Sequence, residues 1–218
     1  MRPLLFLISL LVSGTLLVSC NWFAATPPTF CDTTCSTDTI SFAGTHPSQP
    51  TVKISIANCL PDTLIWTYEG LGLNRKIGFS YLIGTTVKIN KNFIRAQFND
   101  NKYVWLLFND CVTGRGFQLK LPYDKETPFS LKSSGINPMD PKFSIADGLI
   151  VNTDRGNIFV EDALDGKKAM MTFGQKLDID YDVIHDHIDT VHVTRDRIWV
   201  RFKKGNDWTE KEKKIVLE

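Results

Sequence analysis

Apolar and polar residues alternate along much of the chain beyond residue 50. In TVKISIAN (51–58), Val52, Ile54 and Ile56 share one face while Lys53 and Ser55 take the other, the period of a half-buried strand. TLIWTY (63–68), KIGFSYLI (76–83) and TTVKIN (85–90) read as further strands, rich in aromatic and β-branched residues. FIRAQFNDNKYVWLLFND (93–110) is the clearest hairpin, two apolar runs about the turn NDNK. GFQLKLPY (116–123) adds a strand, and a proline-bearing stretch over 124–142 reads as a long surface loop or a boundary between two halves. The second half predicts hairpins over 148–162 and 189–205, a turn at Asp165-Gly166 leading into a strand ending near 174, and strict alternation in KLDIDYDVI (176–184). The last segment, DWTEKEKKIVLE, suits a short helix or a final strand.

These elements predict an all-β fold, an antiparallel β-sandwich or two packed β-sheets built from hairpins. The alternative is a small β-propeller-like arrangement. It rests on an echo between VNTDRGNIFV and HVTRDRIWV, which puts Ile158 and Ile198 about one blade period apart.

The first twenty residues follow a different pattern. Arg2 precedes an apolar run broken only by small residues and ending at Cys20. That reads as a secretory leader, its apolar run shorter than the ~20 residues of a bilayer span. Leu17-Val18-Ser19-Cys20 resembles the lipobox of bacterial lipoproteins. The resemblance implies a signal peptide over 1–19, a diacylglyceryl thioether on Cys20 and acylation of the new amino group. Each buried CH₂ of such chains contributes about 0.8 kcal/mol, so two or more chains anchor stably. Asn21 in place of Asp leans toward the outer membrane. The expected organisation is a leader, a lipid-anchored Thr/Ser/Pro-rich tether over 20–50, and a β-rich domain over 51–218. The mature region resembles uncharacterised lipoproteins of Bacteroidetes-type bacteria, a likeness that implies no activity.

Composition narrows the partners. The formal charge is +1 and falls to zero once Arg2 leaves with the leader. No basic cluster marks a nucleic-acid footprint; the expected partners are a membrane through Cys20 and an envelope protein or glycan. Cys31, Cys35, Cys59 and Cys111 remain, and an even count in an exported chain points to two disulfides. Three pairings are possible; Cys31–Cys35 with Cys59–Cys111 is favoured. A Cys₄ zinc site or a redox pair fits less well, because CDTTC lies in a Thr/Ser-rich loop and is not CxxC.

Candidate chemistry concentrates at 178–192. Asp178, Asp180 and Asp182 match the first, third and fifth positions of an EF-hand-like loop, and Asp189 the twelfth. Val183 replaces the turn glycine, and a strand with an acidic outer face gives the same spacing. His185 and His187 share a strand face around Asp186, a pattern that could suit zinc. No cofactor is expected beyond a possible stabilising calcium ion. GFSYL lacks the second glycine of a nucleophile elbow, so Ser80 reads as a sheet residue. Trp66, Tyr68, Trp105, Trp199 and Trp208 could form a sugar-stacking platform or pack the core. A non-enzymatic binding module is favoured over an envelope hydrolase acting through 178–192.

Overall fold

Glycine, asparagine and aspartate turns divide the chain into strands that pair with near neighbours in sequence. The computed structural model describes residues 29–99, 102–173 and 186–218. The first sheet holds β1 (Ile40–Ala43), β2 (Pro50–Ala57), β3 (Leu60–Tyr68) and β4 (Leu73–Gly78), in that order. The second holds β5 (Ile94–Asn99), β6 (Tyr103–Asn109), β7 (Gly116–Pro122) and β8 (Ser130–Lys132), again sequential. The third takes β9 (Gly135–Ile136), β11 (Leu149–Asp154), β12 (Asn157–Asp162) and β13 (Lys168–Thr172) in the order β13-β12-β11-β9. The fourth takes β10 (Phe143–Ile145), β14 (Ile188–Val193), β15 (Arg197–Lys204) and β16 (Asp207–Lys214). Among the described residues every pairing is antiparallel except β10 with β14.

The fold is all-β, and its sheets pack as sandwiches. Val52, Ile54, Leu64 and Trp66 of the first sheet share a core with Val104, Leu106, Phe108, Leu119 and Leu121 of the second. Val151, Ile158, Val160 and Met171 of the third share another with Val191, Val193, Ile198 and Val200 of the fourth. Ile158 and Ile198, the echoed pair, are both fully buried in that second core. Among the described residues no core cluster joins the first sheet to the fourth, so the sheets do not close into a propeller.

β6 is buried along its whole length because it has a sheet on each side. Its Tyr103, Trp105 and Leu107 face away from the first core and meet Met139, Ile150 and Ala163 in a seam. Polar groups complete the seam. Gln118 Nε2 donates to Asn137 Oδ1 at 2.9 Å and to the Val151 carbonyl at 2.7 Å. Asn137 Nδ2 donates to the Phe108 carbonyl at 2.9 Å. Lys120 Nζ lies 2.7 Å from Glu161 and 3.9 Å from the Tyr103 ring centroid. Burial, then the nearby Glu161 charge, pushes the Tyr103 hydroxyl above its ordinary pKa. At one point the sheets touch as backbone: a Cβ on Gly116 would stand 2.1 Å from the Gly135 carbonyl oxygen.

Several expectations are corrected. Only the first part of 76–83 is strand; Phe79–Ile83 forms a short helix, α1, ended by Gly84 at φ 73°. Residues 85–90 are irregular, and β1 lies inside the stretch read as tether. The last segment is a strand through Lys214. The disulfides are Cys31–Cys111 and Cys35–Cys59, with Cα atoms 4.6 and 4.8 Å apart, not the favoured pairing. Residues 32–37 form no turn that folds Cys31 back on Cys35. Instead the segment straps the end of the first sandwich, where the Cys31 amide donates to the Cys111 carbonyl at 3.2 Å.

Candidate functional site

Alternation along β15 buries Ile198, Val200 and Phe202 and leaves Arg197, Trp199, Arg201 and Lys203 on the outer face of the fourth sheet. Register carries that face across its neighbours. His192 of β14 lies opposite Trp199, and Glu212, Glu210 and Trp208 of β16 lie opposite Trp199, Arg201 and Lys203. The His192 and Trp199 rings meet edge-on with centroids 5.4 Å apart. Arg197 lies 3.6 Å from Glu212 and Arg201 3.5 Å from Asp189, while the Arg201 guanidinium stands 5.8 Å from the Trp208 ring centroid. A shallow hollow of about 260 Å³ opens among His192, Arg197, Trp199 and Glu212. Trp208 is 45% exposed. Four residues of β15 separate the two indole positions, roughly 14 Å at strand rise.

The aromatic candidates therefore split. Trp66, Tyr68 and Trp105 are core residues; the Trp66 indole N–H donates to the Pro122 carbonyl at 3.0 Å. Trp199 and Trp208 remain as the outward pair; alternation with Ile198, Val200 and Phe202 puts Trp199 on the face opposite the core, but parity alone does not say whether another sheet covers that face.

The acidic and histidine cluster is only partly in view. Asp178, Asp180, Asp182 and His185 lie outside the described residues. Asp189 pairs with Arg201 and accepts from Thr190 Oγ1 at 3.2 Å. The His187 carbonyl accepts from the Lys203 amide at 2.8 Å. Among the described residues no group of three or more His, Cys, Asp or Glu side chains converges as a metal site. Ser80 sits on α1, not in a strand.

Among the described residues, the carboxylates whose pKa is shifted move downward. Thr34 hydrogen bonds hold Asp32 low, and Thr194 does the same for Asp196. Burial opposes the charge on Asp162, but the Leu164 amide and the Arg195 guanidinium outweigh it and hold that carboxyl below its usual value. Such groups accept hydrogen bonds in turns, whereas a general acid needs an upward shift.

Larger hollows lie elsewhere: about 680 Å³ between the strap and Lys88–Asn92, and about 420 Å³ beside Tyr103 and Lys120 at the seam. No family model, curated protein or solved structure matches this chain.

Proposed function

We propose that the protein is an exported envelope module, held to a membrane by an acylated Cys20, that binds a glycan on the outer face of its fourth sheet. Two cystines fit an oxidising, extracytoplasmic compartment. The lipobox-like leader supplies the anchor, and Asn21 favours the outer membrane as its destination. One observation carries the binding face: Trp199 and Trp208 leave the core on the same side of one sheet, flanked by His192 and planar guanidinium groups. Indole faces take up the C–H faces of sugar rings, and the charged rim can hydrogen-bond hydroxyls. The spacing suits an oligosaccharide better than a single sugar. Asp189, Glu210 and Glu212 each oppose a basic or aromatic neighbour across the strands. That arrangement favours binding over hydrolysis.

Calorimetric titration with saccharides released from the envelope tests the reading. Trp199→Ala and Trp208→Ala should each weaken binding by about tenfold, the 1.4 kcal/mol typical of a stacked anchor. No saccharide binding, or binding indifferent to both substitutions, would overturn it, as would capture of an envelope protein at that face. The anchor is tested separately: Cys20→Ala should move the protein from the membrane to the soluble fraction and remove the lipid mass.

A further inference from the structure

The two cystines gather several connections at one end of the first sandwich. Cys59 sits in the β2–β3 turn and Cys111 in the β6–β7 turn, and the short strap from Cys31 to Cys35 joins them. The β4–β5 connection lies there too: the Lys88 amide donates to Asp110 Oδ1 at 2.9 Å, and the Cys111 amide donates to the Lys88 carbonyl at 2.8 Å. This end exposes apolar surface at its tips. Tyr81 on α1 is 81% exposed and Val112 in the β6–β7 turn is 49% exposed. Lys88 and Lys91 are exposed beside the groove under the strap. The chain arriving from Cys20 joins this end at Cys31, eleven residue steps later, so the two cannot be more than about 40 Å apart.

We propose that this cystine-bearing end is apposed to a phospholipid bilayer, with Tyr81 and Val112 entering the headgroup region and Lys88 and Lys91 meeting lipid phosphates. The inference rests on acylation of Cys20. Tyrosine favours the interface because its ring is apolar and its hydroxyl polar, and lysine stems lie along apolar surface while the ammonium reaches out. Asp32, Asp38 and Asp62 share the end, so attraction to anionic lipid alone does not explain it; Asp32 is engaged by Thr34 at 2.6 Å. Partition of the apolar tips, held close by the tether, supplies the orientation. The glycan-binding face, on the far sheet of the stack, is left uncovered.

The test is amine footprinting of the acylated chain on vesicles of phosphatidylethanolamine and phosphatidylglycerol, against the Cys20→Ala chain in solution. Lys88 and Lys91 should label about fivefold more slowly on vesicles, as expected for groups held at the headgroup boundary, while Lys203 and Lys204 should label equally in both. Tyr81→Ser with Val112→Ser, both at exposed positions, should abolish the protection without releasing the anchored chain. Equal labelling of Lys88 and Lys91, or protection of Lys203 and Lys204 instead, overturns the orientation and leaves the anchor standing. If intact mass shows no acyl group on Cys20, the anchor fails. Vesicle flotation of the unacylated chain then decides the surface: flotation lost on the double substitution supports it, and no flotation overturns it.

Discussion

Cys59 occupies a backbone conformation that few side chains adopt. Asn58 and Cys59 form the two-residue β2–β3 turn with φ of 51° and 63°, the geometry that hairpins normally give to Asn-Gly. The disulfide holds a residue where glycine would be relaxed. With the bridge removed, Cys35→Ser/Cys59→Gly should be more stable than Cys35→Ser/Cys59→Ser by about 1 kcal/mol in urea melts; equal midpoints would show that the turn carries no such strain. Asp162 gives a pH dependence. Its folded pKa is depressed, so its contribution is complete above the ordinary carboxylate value of about 4 and is lost as pH falls through the folded value. Arg195 supports that depression. The stability gap between wild type and Arg195→Ala should therefore be widest near neutrality and close in acid, as read by denaturant midpoints across pH. Neither effect is legible in sequence, because a turn cysteine and an aspartate at a strand end look ordinary until their partners are known.

At the scale of elements, the strands were readable wherever one face met solvent. β2 alternates cleanly, and the turn residues before β12 and β15, Arg155-Gly156 and Arg195-Asp196, place those strands within a few residues of their observed ends. α1 reads as strand in the sequence although Phe79, Leu82 and Ile83, its buried residues, have helical spacing between Gly78 and Gly84; five residues are too few for that period to outweigh their β-formers. The sequence of β16 suits helix or strand alike because its inner positions are Thr209, Lys211 and Lys213. It is an edge strand, where inward lysines discourage pairing with another chain; Lys213 Nζ reaches the Met170 carbonyl at 2.9 Å. The cystines close loops of different size, 80 and 24 residues in separation. Chain entropy ranks them at about 4.5 and 3.4 kcal/mol. Serine pairs replacing Cys31/Cys111 should lower the denaturant midpoint more than pairs replacing Cys35/Cys59; the reverse order would place native-state effects above loop closure.

At the scale of the whole molecule, the seam decides whether two sandwiches behave as one body. Asn137 is fully buried and bridges β6, β7 and β9. Asn137→Ala removes one acceptor from the Gln118 amide, which keeps the Val151 carbonyl, and one donor from the Phe108 carbonyl; in this buried network it should lower stability by about 2–3 kcal/mol. Wild type should melt in one transition by calorimetry, and Asn137→Ala or Lys120→Ala should split it, one sandwich unfolding before the other. A single transition in both variants would mean that the apolar contacts of Trp105, Leu107 and Ile150 suffice to couple the halves.

Because alternation and turn chemistry are local, the strand-built class, four pairable cysteines and most hairpins follow from the residues in order along the chain. That order alone could not sort Trp66, Trp105, Trp199 and Trp208, since strand parity fixes a face but only the sheet stack says whether that face meets another sheet or solvent. β6 shows why: YVWLLFN reads as a continuous apolar run, and only the third sheet lying across it explains Tyr103, Trp105 and Leu107. The cystine pairing was likewise a tertiary decision. Which thiols meet depends on where distant turns are brought together, and that is set by packing of the two first sheets, not by spacing along the chain.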